Sequence, residues 1–234
     1  MTQGGLLKRK GSGGHNRVSA SAAILLATGL FSRAVLQNGL LSLNTRNAEE
    51  LFRLFEESRG AMQIAAVSLL GQAVGLCCVP LYAFLLWERV KKEKSLKVVA
   101  FKLFFLALCA EIPYDIVMRG RFFSRESTNP LFAATVALVF LYLIRKMHPE
   151  GLKGAFFKGV IFLAAVAWVL ILKVDEGVPF VIIAAAFGAF QKGKGASLAP
   201  VVACAVCTAL STFYILTPLS LIILHFFGRK EEAE

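Results

Sequence analysis

Long, almost unbroken apolar runs govern what this chain can become. They cover 18–43, 62–87, 98–118, 129–144, 154–173 and 177–190, and a last stretch runs from 197 to 227. A helix needs about 20 apolar residues to cross the hydrocarbon core of a bilayer. Lipid offers no hydrogen-bond partner to an open backbone, so only helices are expected here. The fold class is therefore all-α, a polytopic helical membrane protein with seven or eight transmembrane helices. The count turns on the last run, which is long for one helix and short for two. Either Pro218 kinks it, or a tight turn near Ser211–Thr212 splits it. Composition agrees: 57% of 234 residues are hydrophobic and mean hydropathy is +0.66. A soluble domain this short cannot bury that much apolar surface.

The net charge of +11 would suggest nucleic acid in a soluble chain. Here the basic residues sit in the joints between apolar runs, so no nucleic-acid partner is expected and the lipid bilayer is. With the N-terminus inside, segments 1–17, 88–97, 145–158 and 191–197 face the cytosol and hold fifteen Lys or Arg. Segments 44–61, 119–128 and 173–176 face outward and hold seven. Positive residues favour the cytosolic side, so the N-terminus is expected there. The chain divides into a basic cytosolic tail (1–17), one transmembrane domain (18–227) and a charged tail (228–234). Lys8, Arg9, Lys10 and Arg17 before the first run resemble a signal-peptide start. The run's length, Arg33 and the lack of a cleavage site make it a retained first span. Asn47–Arg59 places Leu51, Leu54 and Phe55 at helical spacing among charges, which predicts an amphipathic helix on the outer surface or packed on the bundle.

Ionisable residues inside spans are costly and usually face the bundle interior. Arg33 lies in the first span, and Glu111, Tyr114 and Asp115 lie near the end of the third. Pro113 is expected to bend that helix. Glu111 and Asp115 are four apart and share a face. Two such carboxylates can tune each other for acid–base work, or one can be neutralised by Arg33 to fix helix register. Asn129 and Asp175 begin their spans on the same outer side, so all these groups can converge on one outward-facing polar cavity. Glu176 follows Asp175. Glu88 and Lys102 lie at the inner side, where Lys102 can snorkel to the interface. His15, His148 and His225 have no metal-ligand spacing, so no metal site is expected. Cys204-x-x-Cys207 lacks a second pair and reads as apolar helix packing.

The run VPLYAFLLWERVKKEKSLKVVAFKLFFLALCAEIPYDIV (79–117) resembles the TraX family of membrane proteins. Pro80, Phe84, Glu88, Glu111, Pro113, Tyr114 and Asp115 fall at matching places. NPLFAATVALVFLYLIRK (129–146), DEGVPFVII (175–183) and STFYILTPLSLIILHFF (211–227) are similar to the family's later helices, so the resemblance spans roughly 20–227. It implies an acyltransferase-like bundle in a bacterial plasma membrane. It also implies transfer of an acetyl or other acyl group from acyl-CoA to an amine or hydroxyl. TraX proteins are named for acetylation of a conjugative pilin, so a pilin-like acceptor or other membrane proteins are the implied partners. Under that reading Glu111 or Asp115 is the base and Arg33 stabilises the oxyanion. Tyr114 or Asn129 orients the acceptor, with Asp175, Glu88 and Ser220 also binding substrate.

Three places depart from the family pattern, one of them Leu76, near where the family carries an Arg. Its first helix carries an Asp-His pair where this chain has Ser32 and Arg33, and its last carries His where this chain has Ser220. Imidazole is the natural base near pH 7, and arginine cannot replace it. That predicts weak or absent transfer. It keeps open a catalytically inactive binding or accessory subunit of a larger complex, with a small transporter as a third expectation.

Overall fold

A computed structural model of the chain describes residues 12–42, 47–92, 96–124, 126–147, 151–189 and 195–228. Lys8, Arg9, Lys10, His148, the centre of the loop 88–97, Lys192, Lys194 and nearly all of the C-terminal tail lie outside the described residues. Among those residues the protein is all-helical, with no strand. Helix α1, Ser12–Phe31, continues through Ser32–Leu40 with wider, π-type bonding. The Leu41 amide, five residues on, donates to the Leu36 carbonyl at 3.1 Å. Helix α2, Ala48–Glu57, opens on Asn47, whose side chain accepts from the Glu50 amide at 2.8 Å. It is exposed or half-exposed throughout and packs on α3, so the helix expected over Asn47–Arg59 is present and lies against the bundle.

Helix α3, Arg59–Leu76, and helix α4, Cys78–Lys92, form one long apolar element jointed at Cys77. Pro80 causes the joint. It has no amide to return to the Leu76 carbonyl, so the chain tightens one turn earlier and the Cys77 amide donates to Val74. Helix α5, Leu96–Arg119, stays continuous through Pro113. Helices α6, Leu131–Met147, α7, Gly151–Ile171, and α8, Gly177–Ala189, follow. The last apolar run is two helices, α9, Gly195–Leu210, and α10, Thr217–Gly228. The break is extended backbone at Ser211 and a tight 3-10 turn over Thr212–Leu216. Pro218 sits in the first turn of α10, where a missing amide costs nothing, and does not kink a longer helix.

Three helical stretches are long and apolar enough to cross a membrane: Gly14–Leu40, Arg59–Lys92 and Lys153–Ile171. Shorter apolar helices cover Gly177–Gly188, Leu198–Leu210 and Thr212–Phe227. Helix α8 is apolar on every face and lies at the centre against α4, α6, α7 and α9, with Val181, Ile183 and Ala184 fully buried. Outside it, Phe101, Phe105, Phe156, Leu163, Ile171 and Phe226 all stand exposed. An apolar exterior around an apolar core is the surface of a membrane protein.

Candidate functional site

The polar residues collect at one end of the bundle, where α5 finishes and α8 begins. Asp115 is fully buried, because its face of α5 turns inward. Its Oδ1 pairs with the Arg119 guanidinium one turn along, and its Oδ2 accepts from the Ser124 amide at 2.7 Å. Arg119 also donates to the Ser127 hydroxyl and reaches Asp175 Oδ2 at 3.3 Å. The Tyr114 hydroxyl donates to the same Asp175 oxygen at 2.5 Å, and the Arg119 guanidinium lies 5.7 Å from the centre of the Tyr114 ring. Glu111 Oε2 accepts from Asn129 twice, from its side-chain nitrogen at 2.5 Å and its backbone amide at 3.1 Å. Asn129 Oδ1 in turn accepts from the Leu131 amide at 3.0 Å. It thus caps α6, with Pro130 in the first-turn place that needs no donor.

The turn between α7 and α8 completes the site. The Thr128 amide donates to the Lys173 carbonyl at 2.9 Å and the Asp175 amide to Thr128 at 2.9 Å, a single parallel bridge that ties the turn to the segment ahead of α6. Lys173 and Glu176 take positive φ, 50° and 57°, which non-glycine residues adopt only when their surroundings impose it. That conformation aims Glu176 away from Asp175 and towards the Tyr214 hydroxyl, which donates to Glu176 Oε2 at 2.5 Å. Burial raises the Glu176 carboxyl above the ordinary carboxylate range, and neighbouring Asp175 adds to this.

Arg33 stands on the widened turn that ends α1, half-buried, and acts electrostatically on Tyr114 and Glu176. Among the described residues it makes no hydrogen bond or ion pair, so the expected pairing with Glu111 or Asp115 is corrected. Asp115 takes Arg119, which is nearer along its own helix, and Glu111 takes the amides of Asn129. Five sequence-predicted residues, Glu111, Tyr114, Asp115, Asn129 and Asp175, are thus connected, directly or through one neighbour, and Arg33 faces them. Two are not brought in. Glu88 pairs with Lys91 and Lys92 near the far end of α4, ten residues and about 15 Å along the helix from Cys78, which lies near Glu176. Ser220 is buried with its hydroxyl donating to the Thr217 carbonyl at 2.7 Å.

Sequence reasoning passed over Arg119 and Tyr214. The four-residue step from Asp115 to Arg119 was a readable signal. So was Tyr214, since a tyrosine in a buried run needs a partner for its hydroxyl. Cys204 and Cys207 are buried and unbridged, and Cys207 Sγ lies 3.8 Å from the Pro179 carbonyl. Both pack in the apolar core.

Charge divides along the bundle. Glu111, Asp115, Asp175 and Glu176 gather at one end with Arg33 and Arg119. At the other, Lys91 and Lys92 flank Glu88, and Arg145 donates to the Val90 carbonyl. No curated protein and no solved structure gives a match to the chain. The family model for the TraX protein matches residues 64–228. The match takes in every residue of the polar end except Arg33, which lies on α1 ahead of it. It covers most of the chain, from within α3 to the end of α10, and the chain belongs to the TraX family.

Proposed function

We propose that this TraX-family protein crosses a bacterial plasma membrane eight times with its N-terminus in the cytosol. It transfers an acetyl or other acyl group from acyl-CoA to an acceptor amine or hydroxyl at the polar end. The observation that carries this reading is the polar end itself: four carboxylates, two arginines and two tyrosines held together by a strained turn. A membrane protein tolerates such a concentration of charge only where it is used.

The roles follow from how fully each group is engaged. Asp115 has both oxygens engaged, by Arg119 and Ser124, and Glu111 takes two hydrogen bonds from Asn129 on Oε2, so they brace the site and hold α5 against α6. Tyr114 and Asp175 share a hydrogen bond at its rim and orient the acceptor. Arg33, with no fixed partner, stabilises the negative charge that grows on the carbonyl oxygen during acyl transfer. At the opposite end, Arg89, Lys91, Lys92 and Arg145 give the phosphates of acyl-CoA a basic entry on the cytosolic side. A pilin-like chain with a free amino terminus fits the acidic end as acceptor.

A second reading has one observation in its favour: among the described residues, none of the side chains at the polar end is a histidine. Under it the protein is an accessory subunit that keeps the bundle and not the chemistry. Purified protein in lipid nanodiscs, given labelled acetyl-CoA and a panel of amine and hydroxyl acceptors, separates the two. Label entering an acceptor at a rate well above the protein-free control is the expected result. No transfer by the native protein, with transfer appearing only in Arg33→His or Ser220→His, would identify a retired site.

A further inference from the structure

We propose that Glu176 is the general base of this site, with Tyr214 as its proton partner and Arg33 as the facing cation. The inference rests on the acyl-transfer reading above. Of the four carboxylates at the polar end, Glu176 is the least committed. Asp115 is locked to Arg119, Asp175 is shared by Tyr114 and Arg119, and Glu111 is bound twice by Asn129. Glu176 has one hydrogen bond among the described residues, from Tyr214 to Oε2, which leaves Oε1 open to a substrate proton. It is only half-buried, whereas Asp115 is fully enclosed. Its backbone is held at φ 57°, in the left-handed region where strain collects at working sites. Tyr214 opposite it is fully buried, so the hydroxyl that meets the carboxylate cannot swing out to water.

The groups facing Glu176 come from every neighbouring element: Tyr214 from the turn before α10, Asp175 from its own turn, Arg33 from α1, and Cys78 and Cys207 from α4 and α9. Burial and Asp175 push its carboxyl up, while Tyr214 and Arg33 hold it down. A carboxylate whose pKa is raised is a stronger base than an ordinary one. In the step, a neutral amine nitrogen attacks the thioester carbonyl carbon and a C–N bond forms. The N–H proton passes to Glu176 Oε1. The C–S bond breaks, and the departing thiolate takes the proton back from Glu176 and leaves as the free thiol of coenzyme A.

The test uses the full chain in nanodiscs with labelled acetyl-CoA and a primary-amine acceptor, in two measurements. Glu176→Gln keeps an acceptor for Tyr214 and should lower turnover on the order of 100-fold or more, with acetyl-CoA binding and the melting transition unchanged. In the wild type, turnover should rise with pH through the raised Glu176 pKa. Arg33→Gln, which removes a neighbour that lowers that pKa, should move the midpoint upward. The second measurement needs no turnover. A hydrophobic carbodiimide, which reacts with protonated carboxyls, should label Glu176 through its open Oε1, with the adduct mapped by mass spectrometry. Turnover of Glu176→Gln within about threefold of wild type would overturn the base while leaving acyl transfer intact. A Glu176 that the carbodiimide fails to label at any pH would overturn it independently. No transfer by the wild type with any acceptor would instead sink the acyl-transfer reading, and this assignment with it.

Discussion

Asp115 has no exposed surface, yet it carries a formal charge, and its partner Arg119 is only partly exposed. Removing one member of such a pair strands the other in a medium that cannot solvate it. Arg119→Met should therefore destabilise the bundle by about 3–5 kcal/mol. Asn129→Leu should cost about 3 kcal/mol, since it takes two donors from Glu111 and the cap from α6 together. Chemical denaturation in detergent measures both, and a wild-type midpoint for either would show that the pairs are not needed. Glu111, Tyr114, Asp115, Asn129 and Asp175 were legible in the sequence because a polar group inside an apolar run stands out. Their partners were not. Arg119 looked like a marker of membrane orientation, and Arg33 looked like the natural counter-ion for Glu111. Which cation meets which carboxylate depends on how the helices are rotated, and apolar runs without a clear face leave that rotation unwritten. Glu176 was visible beside Asp175, but its separate partner follows from a positive φ that no residue type announces.

Helices α1 and α3 approach closely enough to set the place of Arg33. A Cβ added to Gly75 would lie 2.4 Å from the Gly29 Cα, and one added to Gly71 would lie 2.0 Å from Ser32 Oγ. The Ser68 hydroxyl donates to the Ser32 carbonyl across the same seam at 2.9 Å. This Gly71-xxx-Gly75 spacing is the small-residue packing by which helices associate in lipid. The atom facing Gly75 is backbone, so it cannot step aside. Gly75→Val should force the helices apart at a cost of about 1–3 kcal/mol and draw Arg33 away from Glu176. A lower melting temperature with reduced transfer is expected; an unchanged melting temperature would contradict the close packing. That pattern was available in the sequence. The division of the last apolar run at Ser211–Thr212 was one of two alternatives the sequence offered, with neither glycine nor proline at Ser211 to decide for it. The visible proline, Pro218, lies where a helix tolerates it.

At the scale of the whole molecule, the carboxylates gather at one end and lysines crowd the other. Helices α8, α9 and α10, of 13, 16 and 12 residues, span only about 18–24 Å each, less than the ~30 Å of hydrocarbon. The Tyr214 turn is recessed from the Arg59 end of α3, since Cys77, just past the other end of that helix, has its Sγ 3.2 Å from the Leu216 carbonyl, and Glu176 meets Tyr214 there. The account accordingly has the donor arriving at the basic end and the acceptor at the recessed polar end, on opposite sides of the membrane. The helical class and the charge asymmetry of the loops were readable from the apolar runs and the basic joints. The recess was not, because it depends on helix lengths that a continuous apolar run conceals. Sided acetyl transfer in proteoliposomes tests this most directly. The orientation of the chain is first assigned by labelling a single cysteine placed at Ser95, and labelled acetyl-CoA and a membrane-impermeant amine are then offered on chosen sides. The account predicts product only when acetyl-CoA is on the side of the Arg89–Lys97 loop and the amine on the other. Product formed only with both on one side, or none with any arrangement, would contradict it.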